Sequence, residues 1–110
     1  MSVNAAFTKS GNTVAFLAAA TAPTAVQAVS TTLGGNQYRI INAGSNTVFL
    51  GYGTSASDAA NAAVVVTTTG LSFPLLAGTD EILTFVPNAY FTGVTSSGTA
   101  QVYITPGDGM

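Results

Sequence analysis

Apolar and polar residues alternate with a period of two in short runs along this chain, and clusters of Gly, Asn, Ser and Thr separate the runs. The clearest case is Tyr38–Gly53, YRIINAGSNTVFLGYG. Tyr38 and Ile40 alternate with Arg39 and Ile41. In the second run Val48, Leu50 and Tyr52 share one face, with Thr47, Phe49 and Gly51 on the other. β-Branched and aromatic residues on either side of Asn42-Ala43-Gly44-Ser45-Asn46 predict an antiparallel hairpin. Both of its faces carry large apolar groups, which places it centrally and covers it on both sides.

The same arrangement recurs in Tyr90–Thr95 and Gln101–Ile104, which flank Ser96-Ser97-Gly98-Thr99 and predict a second hairpin stopped by Pro106-Gly107. Ala5–Phe7 and Thr13–Leu17 around Lys9-Ser10-Gly11-Asn12 predict a third. Thr21–Val29 reads as extended, and Gly34-Gly35-Asn36 as a turn. Leu71–Leu76 contains Pro74, which suits an edge strand or a bulge because proline lacks an N–H. In Ile82–Val86, Ile82 and Val86 share one face and Leu83 and Phe85 the other, which predicts an internal strand. Ser57 or Asp58 can cap a helix in TSASDAANAA, but the alanine run lasts only about two turns. Several short strands and one token helix indicate an all-β, antiparallel sandwich or barrel, a single domain over residues 1–110. Residues 1–20 are expected to form an N-terminal arm or hairpin.

A rival pattern overlies that first hairpin. Lys9, the stretch VAFLAAATAPTAVQA and an Ala-x-Ala ending at Ala28 imitate a secretory leader. Threonines dilute the apolar stretch and Pro23 interrupts it, so the strand reading is preferred. No apolar run reaches the 18 or so residues of a membrane-crossing helix, and no membrane association is expected.

Composition narrows the chemistry. A chain of 110 residues builds one core without needing a staple. It has no Cys and no His, which removes thiolate nucleophiles, disulfides, the commonest general base and the commonest transition-metal ligand. The ionisable acids and bases left are Lys9, Arg39, Asp58, Asp80, Glu81 and Asp108. Adjacent Asp80 and Glu81 would point to opposite faces of a strand, so they cannot work as an acid–base pair. Four scattered acids do not supply the six to eight oxygens of a calcium site. Gly51-Tyr52-Gly53-Thr54-Ser55-Ala56 matches a dinucleotide-binding pattern, but it lacks the long crossover helix and the later acid. Its glycines are expected to let the strand end bend. The expectation is a protein that is not an enzyme and has no cofactor or metal.

Charged residues make up only 5% of the chain, against about 25% in ordinary soluble domains. Such a neutral surface suits a chain covered by partners in an assembly, or one on an outer surface. Two cations against a net charge of −2 give nucleic-acid binding no electrostatic basis. With so little edge charge, strand edges need a cover, and a closed two-fold homodimer is the commonest solution, with a trimer as the alternative. Arg39 reads equally as a solvated edge residue or an interface anchor. Tyr52, Tyr90 and Tyr103 read as core or interface groups, or as platforms for sugars.

Four segments carry a resemblance: Tyr38-Arg39-Ile40-Ile41-Asn42, Val48–Gly53 with the following Thr-Ser-Ala, Leu75–Leu83 (LLAGTDEIL), and Val102–Gly109 (VYITPGDG). Over residues 37–109 the chain resembles the capsid decoration proteins, also called cement or staple proteins, of short-tailed bacteriophages. That resemblance implies a jelly-roll β-sandwich, a homo-oligomer, and attachment to the major capsid protein on the outer surface of a virion assembled in the host cytoplasm. It implies no active site. Arg39, Tyr52, Tyr90 and Tyr103 are the candidate interface residues. A tail or head-fibre component, or a carbohydrate-binding adhesion module, is the alternative.

Overall fold

The structure is a computed structural model that describes residues 8–30, 36–66 and 69–108. Two antiparallel sheets pack face to face. The first contains β1 (Thr8–Lys9), β2 (Val14–Ala18), β4 (Gln37–Asn42), β7 (Asp80–Thr84) and β9 (Ala100–Asp108). In it β9 lies between β4 and the β1/β2 side, and β4 lies between β9 and β7. The second sheet runs β3 (Val26–Gln27), β8 (Tyr90–Val94), β5 (Val48–Gly53) and β6 (Phe73–Leu75). One helix, α1 (Ala56–Ala62), follows β5.

The pairings nest: β2 with β9, β3 with β8, β4 with β7, β5 with β6. This is one long hairpin rolled up, the jelly-roll form of the sandwich. Every connection from β2 onward crosses between sheets except β5–α1–β6, which is the hairpin's tip. Inward residues of the two sheets, among them Phe16, Tyr38, Ile40, Val102 and Ile104 from the first and Val48, Leu50, Leu75 and Phe91 from the second, form the core.

Tyr38–Gly53 is therefore not a hairpin. β4 and β5 lie in different sheets, and the turn between them is an arch closed by a side chain. Asn42, fully buried, donates through Nδ2 to the carbonyls of Asn46 (2.9 Å) and Leu75 (3.0 Å), and its Oδ1 accepts from the Gly44 N–H (3.0 Å). Tyr90–Ile104 makes a second arch from β8 to β9, where the Thr95 hydroxyl donates to the Gly98 carbonyl (2.6 Å). The repeated sequence pattern reflects two stacked arches, with β4 beside β9, β5 beside β8, and Asn46 Nδ2 donating to the Thr99 carbonyl (2.9 Å).

The expected N-terminal hairpin is also corrected. β1 and β2 do not pair with each other, since both lie along β9, and Gly11 bridges to Ser30. A hydroxyl and glycine break at residues 10–13 lets the chain follow the longer, nine-residue partner instead of folding back. Ala5–Phe7 and Gly34-Gly35 lie outside the described residues. The leader-like stretch contributes β2, with Phe16 and Ala18 in the core.

Two local expectations shift as well. Ser55, not Ser57 or Asp58, caps α1: its hydroxyl accepts from the Asp58 N–H (3.2 Å). Gly51 and Gly53 serve helix packing, because a Cβ on Gly51 would stand 2.3 Å from the Ala59 carbonyl oxygen and one on Gly53 2.5 Å from Asp58 Cβ. Pro74 does lie in an edge strand, β6. β7, expected to be internal, is the other kind of strand: it closes the first sheet at its edge, with Ile82 49% and, just past its end, Val86 39% exposed.

Candidate interaction face

The outer faces of the two sheets differ. On the second sheet Thr92 and Val94 alternate with core-facing Phe91, so they point outward, yet both are buried. Helix α1 lies on Gly51 and Gly53 of β5, and the Thr92 hydroxyl donates to the Pro23 carbonyl (2.8 Å), which ties the preceding segment over β8. The chain itself seals that face.

The first sheet has no such cover among the described residues. Its register sets Ala15, Tyr103, Ile41 and Asp80 in one row across β2, β9, β4 and β7. The next row holds Thr105, Arg39 and Ile82, and Leu17 stands opposite Gln101. Leu17 (50%), Ile82 (49%) and Tyr103 (41%) are exposed. An apolar, hydroxyl- and amide-rich sheet surface results.

Its charges are few: Lys9, opposite Gly107 at the β1 end, and a pair formed by Arg39 and Asp80. Arg39 Nε donates to both Asp80 carboxylate oxygens at 3.1 Å, and Nη2 donates to Oδ2, a forked pair across β4 and β7. Hydrogen bonding from the guanidinium holds the Asp80 carboxyl below its ordinary value, and the carboxylate raises Arg39 further. Both side chains are about half exposed, so water screens the pair. Glu81, one residue on, sits opposite Ile40 in the β4–β7 ladder.

The four candidate interface residues separate into three places. Arg39 and Tyr103 share the bare face. Tyr52 is half-buried, edge-on to Phe85 at 4.8 Å and 79°, and 6.2 Å from Phe91. Tyr90 is half-buried opposite Gly53, on the far side of the sandwich. Leu17, Ile41 and Ile82 belong to the bare face but were not singled out. Their alternation was visible, but which side of each strand meets the core is set by its neighbours. Tyr52 and Phe85 also line an open cleft of about 500 Å³ with Leu71, Thr54, Asp58 and Asn61.

Among the described residues no three His, Cys, Asp or Glu side chains come together as a metal site. No helix among them is long and apolar enough to cross a membrane. No family model, curated protein or solved structure matches the chain.

Proposed function

We propose that this chain is a structural virion protein, a capsid decoration or cement protein that sits on the outside of a phage head and bridges neighbouring subunits of the major capsid protein. One observation supports this reading above the rest: a sandwich sealed by its own chain on one side presents a bare, sparsely charged sheet on the other. Packaged DNA loads a shell from inside, and the contacts between capsomers carry that load. A rigid β-domain spanning two subunits adds burial that must be undone before the shell opens. A standard interface of about 1,600 Å² per complex is enough for specificity, and many copies acting together tolerate modest affinity at each. The protein acts as a homodimer in this reading, a closed two-fold form that matches two equivalent capsid subunits.

Electron cryo-microscopy of the source particle tests it. Density for this jelly roll on the outer shell is the expected result. Its absence there, with copies on the tail or a fibre, overturns it. The cleft favours one second reading, a carbohydrate-binding module: half-exposed rings beside Asp58 and Asn61 combine a stacking surface with hydrogen-bonding groups. Chemical-shift changes at Tyr52 and Asn61 on adding neutral oligosaccharides would support that reading, and none would remove it.

A further inference from the structure

The edges of the two sheets are guarded unequally among the described residues. β3 has two residues, β6 has three with Pro74 among them, and the β1/β2 edge is broken at residues 10–13. β7 is five residues long, has no proline, and pairs on one side only, with β4. It also lacks the lysines that commonly blunt an edge.

Its free hydrogen-bonding groups can be assigned. The Asn42 N–H donates to the Thr79 carbonyl (2.9 Å) at one end of the β4–β7 ladder, and the Phe85 N–H to the Asn36 carbonyl (2.7 Å) at the other. In an antiparallel pair, bonded and non-bonded residues alternate. Glu81 and Leu83 therefore bond to Ile40 and Tyr38, while the N–H and C=O groups of Asp80, Ile82 and Thr84 point away from the sheet.

We propose that β7 pairs antiparallel with β7 of a second copy about a two-fold axis at Ile82, joining the two first sheets into one. The inference rests on the homodimer of the decoration reading and specifies its interface. In this register Ile82 faces the partner's Ile82, and Asp80 faces the partner's Thr84, so all three outward-pointing residues of each strand are bonded. The two Asp80 carboxylates stand four residues apart along the ladder, about 14 Å at strand rise, and each is already paired with Arg39 of its own chain. Sliding the register by two residues in one direction brings the carboxylates to about 7 Å. Sliding it in the other reaches Val86 and Pro87, beyond the end of the strand. The centred register alone bonds all three outward-pointing residues while keeping the Asp80 carboxylates about 14 Å apart. It sets each Glu81 opposite the partner's Leu83, which leaves the two Glu81 carboxylates about 7 Å apart along the ladder. It also makes the bare faces of two copies continuous, so that Ile41, Ile82 and Tyr103 of each chain contribute to one docking surface.

The absence of cysteine makes the test clean. Ile82→Cys introduces a single thiol, and bonded antiparallel partners have Cα atoms about 5.5 Å apart, inside the roughly 4.4–6.8 Å range of a disulfide. Ser97→Cys, on the exposed loop after β8, is the control. At micromolar protein the Ile82→Cys thiols should cross-link about a thousandfold faster than the control, as a millimolar effective concentration requires. The full chain is tested both purified and bound to particles. Heads coated with Ile82→Cys protein that cross-links no faster than Ser97→Cys overturn the edge pairing and leave decoration standing. Rapid cross-linking in solution with bare heads keeps the pairing and removes decoration. If Ile82→Cys is slow in both settings, the pairing is wrong. Ile82→Pro gives an independent readout: it deletes an N–H that β4 does not use, so sedimentation should show half the mass with an unchanged circular-dichroism spectrum.

Discussion

Two buried polar side chains hold the places where the chain leaves its strands. Asn42 closes the first arch, and Tyr38 anchors the segment between β7 and β8: its hydroxyl donates to the Val86 carbonyl and accepts from the Ala89 N–H (3.1 Å). Burial raises the Tyr38 pKa, opposed by the bond from Ala89. Tyr38→Phe keeps the ring but leaves both backbone groups without that partner. It should cost about 1–3 kcal/mol, seen as a lower denaturation midpoint with an unchanged slope. Asp80 gives a pH effect of known sign. Its folded pKa is depressed, so its contribution is present above the unfolded carboxylate value near 3.9 and fades as pH falls through the lower folded value. The pair is half exposed, so the effect should be below about 1 kcal/mol. Comparing the stabilities of wild type and Asp80→Asn at pH 6 and at pH 2 should show the wild type losing its advantage only on the acid side.

At the scale of elements, the glycines of β5 and the short helix form one device. An isolated helix of seven residues has too few bonds to persist, so α1 depends on its cap at Ser55 and on resting against the bare backbone of β5. Gly51→Ala would place a methyl group 2.3 Å from the Ala59 carbonyl oxygen and 2.5 Å from the Ala63 nitrogen, both backbone atoms that cannot swing aside. The helix must lift, and the expected loss is roughly 1–3 kcal/mol, as for an overpacked core. Hydrogen exchange should quicken first in α1 and β5, and uniform protection across the variant would contradict this packing. The same element view separates β7 from the other edges: its length and lack of proline leave a pairing template where β3 and β6 leave almost none.

For the whole molecule, the sparse charge becomes a statement about attachment. The bare face carries one forked ion pair, Lys9 at its β1 end, and otherwise apolar, hydroxyl and amide groups. If it is the docking surface proposed here, attachment rests on apolar burial and hydrogen bonds. Washing decorated particles in about 1 M NaCl, where the screening length is near 3 Å, should leave the protein bound, because salt does not weaken apolar burial. Release in that wash would mean that a few charges, Arg39 first among them, dominate the contact. The long axes of the molecule, 36 and 34 Å, leave room on its broad side for the roughly 800 Å² that a standard interface takes from each partner.

Period-two alternation located most of the strands, and with them the all-β class, because strand formation needs only a local rhythm of side chains. Pro74 marked an edge for an equally local reason, the missing N–H. The scarcity of charge was likewise a property of composition. Which strands pair was not local. A hairpin and an arch have the same alternation and the same polar turn, and they differ only in whether the second run bonds to the first or crosses the core to another sheet. Burial of Asn42 between Asn46 and Leu75, residues 4 and 33 positions away, decides for the arch. Ile82–Val86 looked covered because both of its faces are apolar, yet only neighbouring strands determine whether such a run lies inside or at an edge. Arg39 and Tyr103 were picked out as interface residues, but their meeting with Leu17 and Ile82 on one face exists only because β9 and β4 are laid side by side between β2 and β7. Spacing in the chain carries no information about that neighbour relation, which belongs to the rolled-up pairing of the whole molecule.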